Sequence, residues 1–213
     1  MTINPETVQR IAAMRVALNN MVDDTTRQMA LSWSNVWADL LGEWQAVADE
    51  LAALTADGVW PSAGQVTRAA RVRKALRHTA TRIEQLVEQS GVTVTGSLTD
   101  ILRLVDDWEQ GLVAAQLPDR HPLVWDRVSP DSIDQIVTRT TEQFWSAARP
   151  IPADQVAAMR RQLIRGVTVG DNPRDVAARL LQQLRGVFEG GIYRAEVIAR
   201  TEMLDAHRAA TRL

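Results

Sequence analysis

The 213-residue sequence contains no cysteine, which excludes disulfides, thiolate nucleophiles and sulfur-based zinc sites. It holds three histidines, His78, His121 and His207, and their scatter offers no HExxH pair. Lysine is nearly missing, with Lys74 alone among 24 basic residues. Beside abundant alanine and valine, that bias reads as the codon usage of a GC-rich genome. No run approaches the roughly 18 consecutive apolar residues of a membrane span, and "MTINPETVQR" lacks the basic start and apolar centre of a secretory signal. Synthesis and use in the cytoplasm, with no membrane partner, is the expectation. There is neither a phosphate loop nor a dinucleotide fingerprint. A net charge of −2 speaks against a dedicated nucleic-acid binder, which carries a positive excess to displace counterions from phosphate. Local basic patches stay open.

What is present is helical. Apolar residues make up 46% of the chain and aromatic ones only 5%, enough for a folded core without a disordered composition. Between Pro5 and about Leu54 there is no proline and one glycine, Gly42, which allows one helix or a close helix pair. Trp33, Trp37, Leu40, Trp44, Val47, Leu51 and Leu54 alternate spacings of four and three and so keep one seam toward a partner helix. Ile11, Met14, Leu18 and Met21 follow the same rule in another phase, which predicts a bend or a change of partner near Asp23 to Arg27.

"TADGVWPSAGQ", residues 55–65, has the composition of a turn. The next helix carries a stripe of Ala69, Val72, Leu76, Ala80, Ile83 and Val87, and Gly91 is placed to end it as a C-cap. After a "GVTVTG" connection, Ser97 and Asp100 form a capping-box-like start of a helix to about Leu117. Prolines crowd "LPDRHPLVWDRVSP", residues 117–130, and set the expected boundary between a long-helix region, 1–117, and a compact helical domain, 118–213. Ser129 before Pro130 and Asn172 before Pro173 read as N-caps with proline at the first helical position, and "RPIPAD" separates two further helices. Four short helices are expected there. The fold class is all-α, since "GVTVTG" and "GVTVG" are too short to need a sheet.

The end of the chain carries its most specific pattern. A helix with "RRQLIRGVTVGDNPRDVAARL" leads to a short "GVFEGG" turn and then to "RAEVIARTEMLDAHRAA". This order resembles the phage head morphogenesis family, the Mu F-like minor capsid proteins, whose hallmark is an Ile-Ala-Arg-Thr-Glu core with a trailing alanine. Here the core is Ile198, Ala199, Arg200, Thr201 and Glu202, with Ala206 after it. His207 and Arg208 stand where the family pattern has an asparagine. The resemblance covers about the last 85 residues. It implies a structural, non-enzymatic minor head protein, present in several copies inside the capsid near the portal vertex and in the host cytoplasm during assembly. Its implied partners are the portal protein, the major capsid or scaffolding protein, and packaged DNA, with no cofactor or metal.

Four sets of residues then have competing readings. Glu202 falls among Ala195, Ile198, Ala199, Met203 and Ala206 on one helix face. It is either paired with an arginine of a neighbouring helix, with Arg160, Arg161, Arg165, Arg174 and Arg179 as candidates, or a partner contact; a general base lacks the groups to work with. Arg200 lies away from that face, either paired with Glu196 one turn earlier or shown to a partner. Arg68, Arg71, Lys74, His78 and Arg82 share a broad basic face, either solvated or in contact with DNA or an acidic partner. Trp33, Trp37 and Trp44 form a core seam or, with no helix over them, an oligomer or portal interface. Two rival functions stay open: a helical DNA-binding module, and the non-catalytic part of a chain fused to a maturation protease or a toxin.

Overall fold

The computed structural model describes residues 5–54, 61–116, 129–168 and 173–211, the side chains of residues 54, 166–168 and 173–177 excepted. Among these the protein is all-α. Helix α1 runs Pro5–Leu54, α2 Ala63–Arg68, α3 Ala70–Ala114, α4 Pro130–Ala148, α5 Ile151–Thr168 and α6 Pro173–Ala210.

Three expected breaks are helical instead. The first is the predicted bend near Asp23 to Arg27, because α1 is continuous through it, while the alternative expected there, a change of partner, agrees with the boundary between the two packing units after Gln28. Its buried stripe runs Met14, Leu18, Val22, Thr25, Met29, Trp33, Trp37 and Leu40 in steps of four, four and three or nearly so. That spacing is close to the period of a straight helix, so one face stays covered without a change of phase. Ile11, assigned to the stripe, is 40% exposed. The polar Thr25 and Thr26 sit in the stripe without orphaned hydroxyls, since they bond back to the carbonyls of Met21 and Val22.

The second lies in α3, which continues through Gly91 and "GVTVTG" to Ala114. Gly91 is not a C-cap, and Ser97 with Asp100 does not start a helix. A Cβ at Gly91 would lie 2.5 Å from the indole ring of Trp145 on α4, so the glycine answers a close approach. The hydroxyls of Thr95 and Ser97 bond back to the carbonyls of Gly91 and Thr93. The buried positions Val72, Leu76, Thr79, Ile83, Val87, Ser90, Val94, Leu98, Ile101 and Val105 repeat every eleven residues through the whole length.

The third is "GVFEGG". It lies within α6, so the chain after residue 129 forms three helices, not four. At Gly191 an added Cβ would meet the Trp33 ring at 2.9 Å. Gln155 lies against the same stretch of α6, where its amide, oriented with the nitrogen toward the Val187 carbonyl and the oxygen toward the Gly191 N–H, bridges the two.

Other punctuation is where the sequence puts it. Ser129 accepts the Ser132 N–H at its side-chain oxygen and starts α4. The segment Arg149–Pro150 separates α4 from α5, and α6 begins at Pro173. Within the expected turn at 55–65, Ser62 and Gln65 form a capping box that opens α2. The remainder of that turn, the boundary segment 117–128 with His121, Asn172, and the side chains of Leu54 and Arg174 lie outside the described residues.

The chain packs as two compact units that interleave in sequence. One comprises Met1–Gln28, Ser90–Ala147 and Val197–Leu213; the other comprises Met29–Gln89 and Ala148–Glu196. These units do not follow a division at residue 117, since each draws on both sides of it. The first unit buries Met14, Leu18 and Val22 with Leu98, Ile101, Phe144, Met203 and Ala206. It also has a polar seam, in which Thr25 bonds Ser97 at 2.7 Å and Thr95 bonds Thr141 at 3.0 Å. The second unit is built on aromatic rings. Phe188 lies 5.2 Å from the ring centroids of both Trp33 and Trp37, and Trp44 donates its indole N–H to the buried Thr79 hydroxyl at 3.0 Å. Within it α2 packs on α5, with Val66 buried.

Candidate functional site

The motif residues sit on the last four turns of α6, and two faces separate them. Ala199 and Ala206 are fully covered, so their small side chains set how closely α6 approaches its neighbours in the first unit. Ile198 is half-buried, while Thr201 is exposed and bonds back to the Val197 carbonyl at 2.9 Å.

Arg200 is engaged within the chain. Its guanidinium donates to the Asp23 carboxylate at 2.7 Å and to the Thr26 hydroxyl at 3.2 Å, both on α1. The expected pairing with Glu196 is replaced by this interhelical one. Neither Asp23 nor Thr26 was singled out in the sequence, because a contact 177 positions away leaves no local pattern.

Glu202 departs from the expected ion pair. It is half-buried, and among the described residues no cation stands within 4 Å of it. Burial raises its carboxyl above the usual carboxylate range, Asp205 adds to the rise, and only Arg139 of α4 opposes it. Nearby on the same helix, His207 is partly buried with an unpartnered Nε2, and burial followed by the Arg208 charge pushes its pKa down.

The basic face of α3 is largely neutralised by α1. Arg82 bonds Asp39 at 2.8 Å, His78 bonds Glu43 at 2.7 Å, and Arg71 reaches Glu50 at 3.0 Å. As the number rises by four and then seven on α1, it falls by four and then seven on α3. This is the register of an antiparallel helix pair with one charge rung every one or two turns. The acidic spacing at 39, 43 and 50 was the available signal for this ladder. Arg68 is exposed and folds back toward Gly64. Lys74 and Arg77 open into a groove of about 1160 Å³ between the two helices.

Trp33, Trp37 and Trp44 are 1%, 8% and 0% exposed, so they form the core of the second unit and are not a surface for oligomer or portal contact. Among the described residues no cluster of His, Asp and Glu is arranged to hold a metal ion, and no helix is long and apolar enough to cross a membrane. No family model, curated protein or solved structure matches the chain.

Proposed function

We propose that this chain is a structural minor head protein of a tailed phage or prophage, acting at the portal vertex during head assembly and DNA packaging or delivery. The observation that carries the reading is the chemistry of the motif helix. Three residues of the Ile-Ala-Arg-Thr-Glu core have a packing or tethering role: Ala199 is covered, as is the trailing Ala206, Arg200 is tied to α1, and Thr201 is bonded to its own helix. Such a pattern supports a motif retained to hold a helix in place, with the family resemblance supplying the biological setting. The chain would work in several copies within the capsid, with the portal protein and the major capsid or scaffolding protein as partners.

A DNA-binding module draws less support, because Arg71, His78 and Arg82 already face carboxylates of α1. Co-production of the tagged chain with the portal protein tests the proposal: the portal should be retained with the chain through purification in moderate salt. Portal recovered only at the level of an untagged control would count against it.

A further inference from the structure

The charge ladder between α1 and α3 has one open rung. Asp39, Glu43 and Glu50 are matched by Arg82, His78 and Arg71, but between the last two pairs the same register sets Ala46 of α1 against Ala75 and Val47 against Lys74 of α3, so Lys74 has no carboxylate opposite it. Lys74 and Arg77 are exposed, and among the described residues neither has a carboxylate within 4 Å. Both line the groove of about 1160 Å³, together with Glu43, Ala46 and Glu50 of α1 and with Ala70, Thr81 and the already paired Arg71 and His78 of α3. The α3 wall runs from Ala70 to Thr81, or about 16 Å at 1.5 Å per residue.

We propose that this groove receives an acidic amphipathic helix of a partner protein, with carboxylates about one turn apart on Lys74 and Arg77. The alanines at positions 46 and 70 leave room between the flanking side chains for a third helix to settle. The charge pattern selects a helix over a nucleic acid. Duplex DNA carries a negative charge about every 1.7 Å of its axis, so along this groove it would bring many phosphates against two free cations, since Arg71 and His78 are already held by Glu50 and Glu43. A helix can place carboxylates at i and i+3 or i+4, only where the cations stand, and turn other residues to the α1 wall. Lysine suits the open rung, because an ammonium on a flexible stem accepts a carboxylate from several directions. This inference stands apart from the head-assembly reading and would survive its failure.

Lys74 is the sole lysine of the chain, which makes the site addressable. The probe is a short capped alanine-leucine peptide with glutamates along one helical face, titrated against the full-length chain, beside an isomer with the glutamates spread around the helix. The one-face peptide should bind, and Lys74→Glu with Arg77→Glu should weaken it about tenfold or more, as expected for reversing charges at a contact. Arg73→Glu with Arg103→Glu carries the same charge change at exposed positions and should leave binding within about twofold. In the unaltered protein the bound peptide should also slow amine acylation at Lys74 while the N-terminal amine reacts as before. Lack of saturable binding, or unchanged Lys74 acylation, would overturn the proposal. So would a duplex DNA oligonucleotide that displaces the peptide and loses affinity with the same double variant, which would make the groove a nucleic-acid site.

Discussion

Arg200 and Asp23 are 177 positions apart in the chain, and their side chains meet at 2.7 Å. The contact ties the motif helix to the first half of α1, with the Thr26 hydroxyl as a second acceptor at 3.2 Å. Both charged side chains are about half exposed, at 48% and 49%, so solvent screens most of the attraction. Arg200→Ala should lower stability by no more than about 1 kcal/mol, and a double-mutant cycle with Asp23→Ala should return a coupling of about 0–1 kcal/mol. A coupling above about 2 kcal/mol would show the pair to be desolvated in a way this geometry does not produce.

Glycine substitutions separate helix interior from turn. At Gly96 and Gly190 an added Cβ meets nothing within 4 Å, so alanine there should stabilise the protein by about 0.5–1 kcal/mol through helix propensity. At Gly91 and Gly191 the added atom meets the Trp145 and Trp33 rings at 2.5 and 2.9 Å, and alanine should cost about 1–3 kcal/mol by overpacking. Thermal unfolding of the four variants reads both signs. Destabilisation by Gly96→Ala would mean that "GVTVTG" is a connection and not helix.

The titratable groups of the motif helix give opposite pH responses. Glu202 has a raised carboxyl pKa, from burial first and Asp205 second, so its ionisation opposes folding. Its favourable contribution is complete below the unfolded value near 4.5 and is lost as pH rises through the higher folded value. Glu202→Gln should therefore hold or increase stability at neutral pH and flatten the gain on acidification. His207 has a lowered pKa from burial and Arg208; its contribution is present above about 6.5 and lost as pH falls through the folded value. His207→Gln should remove that part of the acid sensitivity. Denaturant titrations at several pH values check both, and a large neutral-pH loss for Glu202→Gln would restore an ion pair the geometry lacks.

Interleaving of the two units makes a prediction about fragments. Residues 130–147 and 197–213 share a unit with residues 1–28 and 90–129, while 148–196 share the other with 29–89. Residues 130–213 expressed alone would leave Phe188 without Trp33 and Trp37, and Trp145 without Gly91. The fragment should unfold without cooperativity, and a sharp melt would contradict this packing.

Helix existence was legible in the sequence wherever apolar spacing and proline or serine punctuation agreed, as at Pro5, Ser129 with Pro130, and Pro173. Continuity was not. Gly91, Gly96, Gly190 and Gly191 carry the composition of turns, and only contacts with Trp145 and Trp33 reveal that two of them are packing positions. Threonine hid the stripe of α1 in the same way, because a hydroxyl bonded to its own helix is buried without looking apolar. The tryptophan seam was readable as core from its spacing. The partners of Arg200 and the rungs of the ladder were not, since each depends on the register of helices distant in sequence.

The central claim is that this chain is built into phage heads at the portal vertex. Electron cryomicroscopy of assembling heads, produced with and without the gene, tests it most directly. The account predicts helical density beside the portal that is present with the gene and lost without it, together with fewer DNA-filled heads in its absence. Heads that assemble and fill normally without the gene, and that contain no trace of the chain when it is produced, would contradict it.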